Sequence, residues 1–341
     1  MAEQGTHKPL AGGSNPPSAT TPTPLDELAA ALDAGTQALG IPDDVHLVLA
    51  VSGGPDSMAL LRGAARLVGT DARQWRLTVA HLDHALRPGS ADDATFVADA
   101  AAALGLPFES RRTDVAALAR SEGRSIEDAG REARYRFLEE IAPAGAWIAT
   151  AHTADDAAET ILMNLLRGSG LGGVRGIPAR RGRVIRPLLG HRRESLRAML
   201  DAAGIAYRTD PSNDDPAHLR NRVRNEVLPM LDGLRPGAVE RIGRFARLAA
   251  DDDDLLDALA AAELDRRMTA DGEVDWHDVP PTGLDRRVLR LAIGHPAPSA
   301  ERIEALIEAA SGDRGGVRIE LGGGRVASVR ARLIRIEHGP A

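Results

Sequence analysis

Residues 45–51 read VHLVLAV, an apolar run flanked by Pro42 and by the pair Gly53-Gly54. A run of this length and composition, bounded by turn residues, marks a strand buried on both faces of a parallel sheet. It passes through Ser52-Gly53-Gly54-Pro55-Asp56-Ser57 into residues 57–68, whose apolar spacing is helical. No other stretch constrains the fold as much, because a parallel sheet must be continued by crossover helices. The sequence supplies them in alternation. Strands are expected at 77–80, 107–110 and 147–150, and helices at 91–104 after the Pro88-Gly89 turn, at 125–140 and at 155–167. Ser125 with Asp128 three residues on gives the third helix a capping-box-like start. The fold class is therefore α/β, a doubly wound parallel sheet, in which ligands bind at the carboxyl ends of the strands. Three polar clusters, 52–57, His81-Leu82-Asp83-His84 and His152-Thr153-Ala154-Asp155-Asp156, fall at such ends, and that coincidence points to one shared site.

Each cluster suggests a chemistry. In the first, two glycines let the backbone approach an anion, and the helix that follows aims free N–H groups and a partial positive charge at it. Ser52 and Ser57 add hydroxyl donors. Asp56 would repel a bare phosphate, so its presence suggests Mg²⁺ bridging to the phosphates. His81 and Asp83 fit a nucleotide-contacting loop, and equally an ordinary polar strand end. Arg131 and Arg134, three apart in GREARY, share a helical face and could clamp a phosphate or carboxylate; ion pairs with Glu127, Asp128 and Glu132 are the competing reading. In the third cluster, Asp155, Asp156 and Glu159 exceed what helix capping requires. Asp156 and Glu159 share a face beside His152 and would suit a cationic substrate, Mg²⁺ or proton removal from an amine. Asp210-Pro211-Ser212-Asn213 and the run Arg220-Asn221-Arg222-Val223-Arg224-Asn225 join a turn to an Arg- and Asn-rich helix start. Arg fits phosphate and Asn can read base edges, while a solvated helix end also fits.

Composition removes alternatives. The 341 residues include no Cys and a single Lys, Lys8. There can be no disulfide, Cys-ligated cluster or zinc site, or thiolate nucleophile, and beyond residue 8 there is no amine for a Schiff base or a Walker A loop. Phosphate must be held by Arg, backbone N–H groups or a metal. The net charge of −7 argues against indiscriminate nucleic-acid binding, yet residues 172–247 hold 16 Arg against 8 acids. That stretch could meet a polyanion or form a salt-bridged helical surface.

Residues 1–24 are rich in Pro, Gly, Ser and Thr and read as a disordered tail. With no membrane-length apolar run and no signal peptide, a cytoplasmic location is expected. Residues 25–220 form the first domain. Residues 221–341 read as a smaller, mainly helical domain, with helices at 191–203 and 217–230 around its start and at 236–268, 284–293 and 300–310, ending in a β-hairpin around a Gly turn.

Taken in order, SGGPDS, HLDHALRPGSADDATFV, SIEDAGREARYRFL, HTADDAAETILMNLLRGSGLGGVRGIP, RPLL and YRTDPSN…RNRVRNEVLPML resemble the tRNA(Ile)-lysidine synthetases, a family of PP-loop ATP-pyrophosphatases. The likeness covers about 45–231, and the length is similar to the family's shorter members, with no room for a large extra C-terminal domain. It implies a Rossmann-like, adenine nucleotide alpha hydrolase-like fold and ATP-dependent ligation of free L-lysine to C2 of the wobble cytidine of tRNA(Ile) with a CAU anticodon. It further implies ATP and Mg²⁺ as cofactors, with Ser52, Gly53, Gly54, Pro55, Asp56 and Ser57 holding the nucleotide together with His81 and Asp83, and Asp56 at the metal. Asp156, Glu159 and His152 would carry amino-acid recognition and catalysis, assisted by Arg131 or Arg134. Arg220, Asn221, Arg222 and Arg224 would bind tRNA, with the helical domain taking part. A homodimer is compatible with this reading and no membrane is involved. Gly130 stands where the family pattern suggests a small Ala. A thiolating relative of the same group usually needs Cys, which this chain lacks; an AMP-forming ligase for small molecules and a pure binding module are the remaining alternatives.

Overall fold

A computed structural model describes residues 21–87, 89–209, 218–277, 282–312 and 316–338. Two compact units emerge, one of residues up to 160 with 177–239, the other of residues 161–176 with 240 onward. The tail up to residue 20 and the DPSN turn at 210–213 lie outside the described residues.

The first unit opens with α1 (Pro24–Ala38), then runs β1 (His46–Ala50), α2 (Pro55–Gly69), β2 (Arg76–Asp83), α3 (Ser90–Ala102), β3 (Phe108–Arg112), α4 (Val115–Glu122), α5 (Ile126–Ile141), β4 (Trp147–Thr150) and α6 (Ala154–Leu166), the last shared with the second unit. After α7 (Leu171–Val174), which belongs to the second unit, come β5 (Arg180–Arg181), β6 (Val184–Ile185), α8 (Arg193–Ala202), α9 (Leu219–Arg222), a π-helical turn over Val223–Val227, and α10 (Leu228–Leu234). The sheet order is β3-β2-β1-β4-β6-β5. All neighbours are parallel except β5, which turns back antiparallel on β6 at the edge. Strand β1 alternates strictly. Leu47 and Leu49 join a core with Leu28, Leu32, Met58, Leu60, Val97 and Leu196, while Val48 faces Phe137, Leu138 and Ile148 on the other side. Both faces of β1 are thus dry, which is why its sequence lacks polar alternation. The chain winds from β1 through β2 to β3 in one direction and places β4 on the opposite side of β1. The order therefore reverses between β1 and β4, and the crevice beyond their carboxyl ends is the switch point at which doubly wound sheets bind ligands.

The structure adds to the sequence reading. Thr23 and Pro24, read with the tail, begin α1: Thr23 caps it and Asp26 returns the bond. Strand β2 extends to Asp83, so His81 and Asp83 lie inside it and are buried.

In the second unit, α11 (Ala238–Arg267) is followed by β7 (Val274–Asp275), α12 (Asp285–Ile293), α13 (Ala300–Ser311), β8 (Val317–Gly322), β9 (Arg325–Arg330) and β10 (Leu333–His338). An antiparallel sheet of order β7-β10-β9-β8 packs Leu321, Ala327, Val329 and Ile334 against Leu289, Ile293, Ile303 and Leu306. The expected terminal hairpin is thus part of a larger sheet. The run after the glycines splits into two strands at Ala331-Arg332, whose φ values of 47° and 58° make a left-handed turn without glycine.

Candidate active site

The loop from β1 to α2 is shaped by Gly53, whose φ of 89° is open to glycine and costly to other residues. Gly54 caps α2 without a side chain, and Pro55 starts the helix, so the first-turn N–H groups stay available to an anion. Ser57 is buried; its hydroxyl donates to Gly54 O at 2.9 Å and receives the Ser52 N–H at 3.2 Å, which fixes the loop from within. Behind it, His81 donates from Nδ1 to Val51 O at 2.8 Å. His81 therefore braces the strand that launches the loop. Asp83 accepts the Ala85 N–H at 2.8 Å and pairs with Arg112 at 3.3 Å.

Asp56 sits in the first turn of α2. Burial pushes its carboxyl above the usual range, against the pull of Arg193. One oxygen, Oδ2, accepts from Arg193 Nε at 2.9 Å; the other, Oδ1, is buried with no hydrogen-bond partner. An orphaned carboxylate oxygen next to an anion-binding loop is a fitting ligand for Mg²⁺, which typically takes one or two protein carboxylates and completes its shell with phosphate and water. Among the described residues no cluster of three or more ligating side chains is preassembled for a metal, so the nucleotide would have to supply the remainder.

The segment after β4 builds the other side. Thr153 and Asp156 bond reciprocally: the Thr153 N–H and hydroxyl both donate to Asp156 Oδ2 at 2.9 Å. This capping locks the rotamer and leaves Asp156 Oδ1 facing the crevice. Asp155 does something the sequence did not disclose. Its Oδ2 accepts the backbone N–H of Arg193 at 2.7 Å and its Oδ1 accepts Arg192 Nε at 3.2 Å, so it caps α8 from 38 residues away in sequence. Glu159, fully buried, is held by three guanidiniums. Arg224 binds it with Nε at 2.6 Å and Nη2 at 3.0 Å, Arg220 with Nε at 2.9 Å and Arg193 with Nη1 at 3.2 Å. Arg193 Nη2 also reaches Asp156 Oδ1 at 2.9 Å. Burial would raise the Asp156 carboxyl, but Arg193, the Thr153 N–H and other neighbours bring it below its ordinary value. Burial would likewise lower the Arg193 guanidinium, and its three carboxylate partners reverse this.

Beside Asp156 opens a cavity of about 360 Å³ whose lining includes His84, Leu86, Arg131, Arg134, His152 and Arg220. Burial, with Arg131, Arg220 and Arg186 nearby, lowers the Arg134 guanidinium, and its Nε has no hydrogen-bond partner. Burial also depresses both imidazoles: His84 falls to about 4, and His152, bonded through Nδ1 to Thr150 at 2.9 Å, lies well below its ordinary value. Both rings are neutral at physiological pH. At Gly130 an added Cβ would lie 3.2 Å from His84 Nδ1, so glycine suits the close seat of this ring.

Sequence reasoning thus named residues that converge: Asp56, Asp156, Glu159, His152, Arg131 and Arg134. It placed Arg220 and Arg224 on tRNA, whereas here both turn inward onto Glu159. Arg222 is exposed and pairs with Glu226 at 3.6 Å. Asn221 is half-buried. Arg192 and Arg193 were missed. The available signal was electrostatic, since two cations at the start of a helix oppose its dipole and call for a local anion.

Comparison with known proteins agrees with this geometry. A family model described as the PP-loop domain matches residues 28–231. The tRNA(Ile)-lysidine synthase of Geobacter sulfurreducens is 46% identical over 260 residues, covering 73% of this chain and 54% of that protein. The Thermus thermophilus enzyme of the same name is 48% identical over 220 residues, 64% of this chain and 42% of that protein. The chain thus spans about half the length of these two relatives. That of Salinispora arenicola is 44% identical over 240 residues, 68% of this chain and 70% of that protein. Among solved structures, the U34-tRNA thiolase NcsA from Methanococcus maripaludis with its [4Fe-4S] cluster superposes with a TM-score of 0.55 at 15% identity, covering 67% of this chain and 80% of that one; this likeness is one of fold. The ATP-loop geometry and these identities lead to one assignment: the chain belongs to the tRNA(Ile)-lysidine synthase family of PP-loop proteins.

Proposed function

We propose that this chain uses ATP to join L-lysine to C2 of the wobble cytidine in the CAU anticodon of tRNA(Ile), in the cytoplasm. The observation that carries the reading is the meeting of Asp56, from the phosphate-binding loop, with Asp156 and Glu159, from the first turns of α6 across the switch point, around Arg193. An anion site and an acidic site that share one guanidinium suit a reaction in which a nucleotide and an amine meet. The cytosine O2 attacks the α-phosphate of ATP, the bond to pyrophosphate breaks, and the adenylated base forms. The ε-amine then attacks C2, the C2–O bond breaks, AMP leaves, and the amine sheds a proton.

The N–H groups of Gly53, Gly54, Asp56 and Ser57 and the Ser52 hydroxyl hold the polyphosphate as charge builds on the departing pyrophosphate, while the Ser57 hydroxyl keeps the loop in shape. When bound at Asp56 Oδ1, Mg²⁺ would neutralise phosphate charge. Asp156 Oδ1 is the group for the incoming ammonium and its proton, because Arg193 at 2.9 Å is its one close arginine, whereas both oxygens of Glu159 are held at 2.6–3.0 Å by Arg220 and Arg224 as well. His152, neutral, serves as a hydrogen-bonding partner rather than a cation. Arg131 and Arg134 face the adjoining cavity, where an anionic group of a substrate would relieve the unpaired Arg134 Nε. Arg222, exposed, is the group for tRNA phosphate. A thiolation reaction resting on a Cys-ligated cluster is excluded by the absence of Cys.

The test is incubation with radiolabelled lysine, ATP, Mg²⁺ and unmodified transcripts carrying a CAU anticodon. Label in the isoleucine tRNA and not in the methionine tRNA is expected. Pyrophosphate release that needs no tRNA would replace this reading with that of a small-molecule ligase.

A further inference from the structure

We infer that Arg193 couples the two substrate sites: it is a resident cation that covers Asp156 Oδ1 until the polyphosphate of the nucleotide draws it away. This rests on the function proposed above and specifies an order within it, nucleotide before amine.

The first support is geometric. One guanidinium donates from Nε to Asp56 at 2.9 Å, from Nη2 to Asp156 Oδ1 at 2.9 Å and from Nη1 to Glu159 at 3.2 Å. It thereby ties the phosphate-binding loop to the acidic end of α6. The second is charge. Asp56, Asp156 and Glu159 are matched by Arg193, Arg220 and Arg224, so the cluster is neutral as it stands and offers little to an incoming ammonium. The third is the inequality of the contacts. If Arg193 leaves, Glu159 keeps Arg224 at 2.6 and 3.0 Å and Arg220 at 2.9 Å. Asp156 Oδ1 keeps only Arg220 at 3.4 Å and Arg224 at 3.5 Å. Departure of Arg193 therefore uncovers one specific oxygen, while Oδ2 stays fixed by Thr153.

The movement asks little of the fold. Asp155 pins the backbone N–H of Arg193 at the first residue of α8, so only the side chain must swing, and it is 22% exposed. Its destination is near at hand. Phosphates held by the 52–57 loop lie next to Asp56, which Arg193 already touches, and a guanidinium matches phosphate bidentately. Since coupling between sites is reciprocal, lysine must then tighten nucleotide binding by the same factor. Arg193 is a positioning residue in this scheme.

Equilibrium dialysis of radiolabelled L-lysine against the full chain tests it, with and without Mg²⁺ and α,β-methylene-ATP, which cannot be cleaved at the bond in question. For the unaltered protein the lysine Kd should fall at least about 10-fold when the analogue is present, within the usual range of coupling. Arg193→Gln should bind lysine without nucleotide at least about 5-fold more tightly than the parent, and its coupling should drop below about 2-fold. Arg193→Lys keeps the charge but not the three-way bridge, so it should fall between; it carries the test if circular dichroism shows the Gln variant to be unfolded. Arg197→Gln, an exposed change on the same helix, should behave as the parent. Lysine binding that is equal with and without the analogue in the parent, or full coupling retained in Arg193→Gln, overturns the coupling role and leaves the proposed reaction standing. Failure of the parent to bind lysine even with the analogue overturns the amine-substrate reading itself.

Discussion

Replacing Glu159 with Gln keeps the shape of a fully buried side chain and removes the charge on which three arginines converge. Breaking one side of a buried charge network costs about 3–5 kcal/mol. The three guanidiniums retain 22–29% exposure, and water reaching them argues for the lower end, about 3 kcal/mol. For a unit of this size each kcal/mol moves Tm by about 2–4 °C, so Glu159→Gln should lower Tm by about 6–12 °C in scanning calorimetry. The partner making the closest contacts is Arg224, bonded by two nitrogens. In a double-mutant cycle, Glu159→Gln with Arg224→Gln should lose at least about 1 kcal/mol less than the sum of the single changes, because the second substitution removes a cation that the first left uncompensated. A Tm within about 2 °C of the parent, or strictly additive losses, would refute the view that this network is mutually dependent.

Other outcomes follow from the same site. Because burial holds the Asp56 carboxyl above its ordinary range, its ionised form opposes folding at neutral pH. Asp56→Asn should abolish lysine incorporation while leaving Tm at pH 7 equal or higher, with any gain shrinking as the pH falls through the carboxylate range and the parent protonates; retained turnover would sink the assigned role. His84 is depressed from 6.5 to about 4, so the neutral ring contributes stability above pH 6.5 that is lost as the pH falls toward 4. A His84→Gln variant should show a flatter acid limb in urea titrations, and an unchanged limb would contradict this. Arg222→Ala should weaken tRNA binding uniformly and reduce the slope of log K against log salt by about 1; an unchanged slope would leave Arg222 as plain surface.

Local signals in the sequence are legible, and distant ones are not. The apolar 45–51 run, the glycines after it and the Ser125–Asp128 start of α5, where Ser125 Oγ accepts the Asp128 N–H at 3.1 Å, are decided by neighbours within a few residues. The break between β9 and β10 is also local, yet Ala331-Arg332 carries no turn residue, so two strands read as one. Helix α1 had its own cap in Thr23 and Asp26 but was obscured by the Pro-rich segment before it. The inward turn of Arg220 and Arg224 depends on Glu159, more than 60 residues earlier, and Arg193 meets Asp56 across 137 residues. Pairings of that span are settled by strand order, which brings β1 and β4 side by side, and no local pattern records them.

The clasp between Asp155 and the first N–H of α8 has a consequence for arrival as well as for shape. It brings the start of α8 to the same place as the starts of α2 and α6, so three helices direct their positive ends, each worth roughly half a charge, at one crevice. Around it lies a protein with a net charge of −7. A polyanion approaching such a molecule meets a net repulsion that the helix starts and arginines of the crevice offset locally, so the field steers it there. Nucleotide association should accordingly slow as salt is added, because ions screen the field that draws it in.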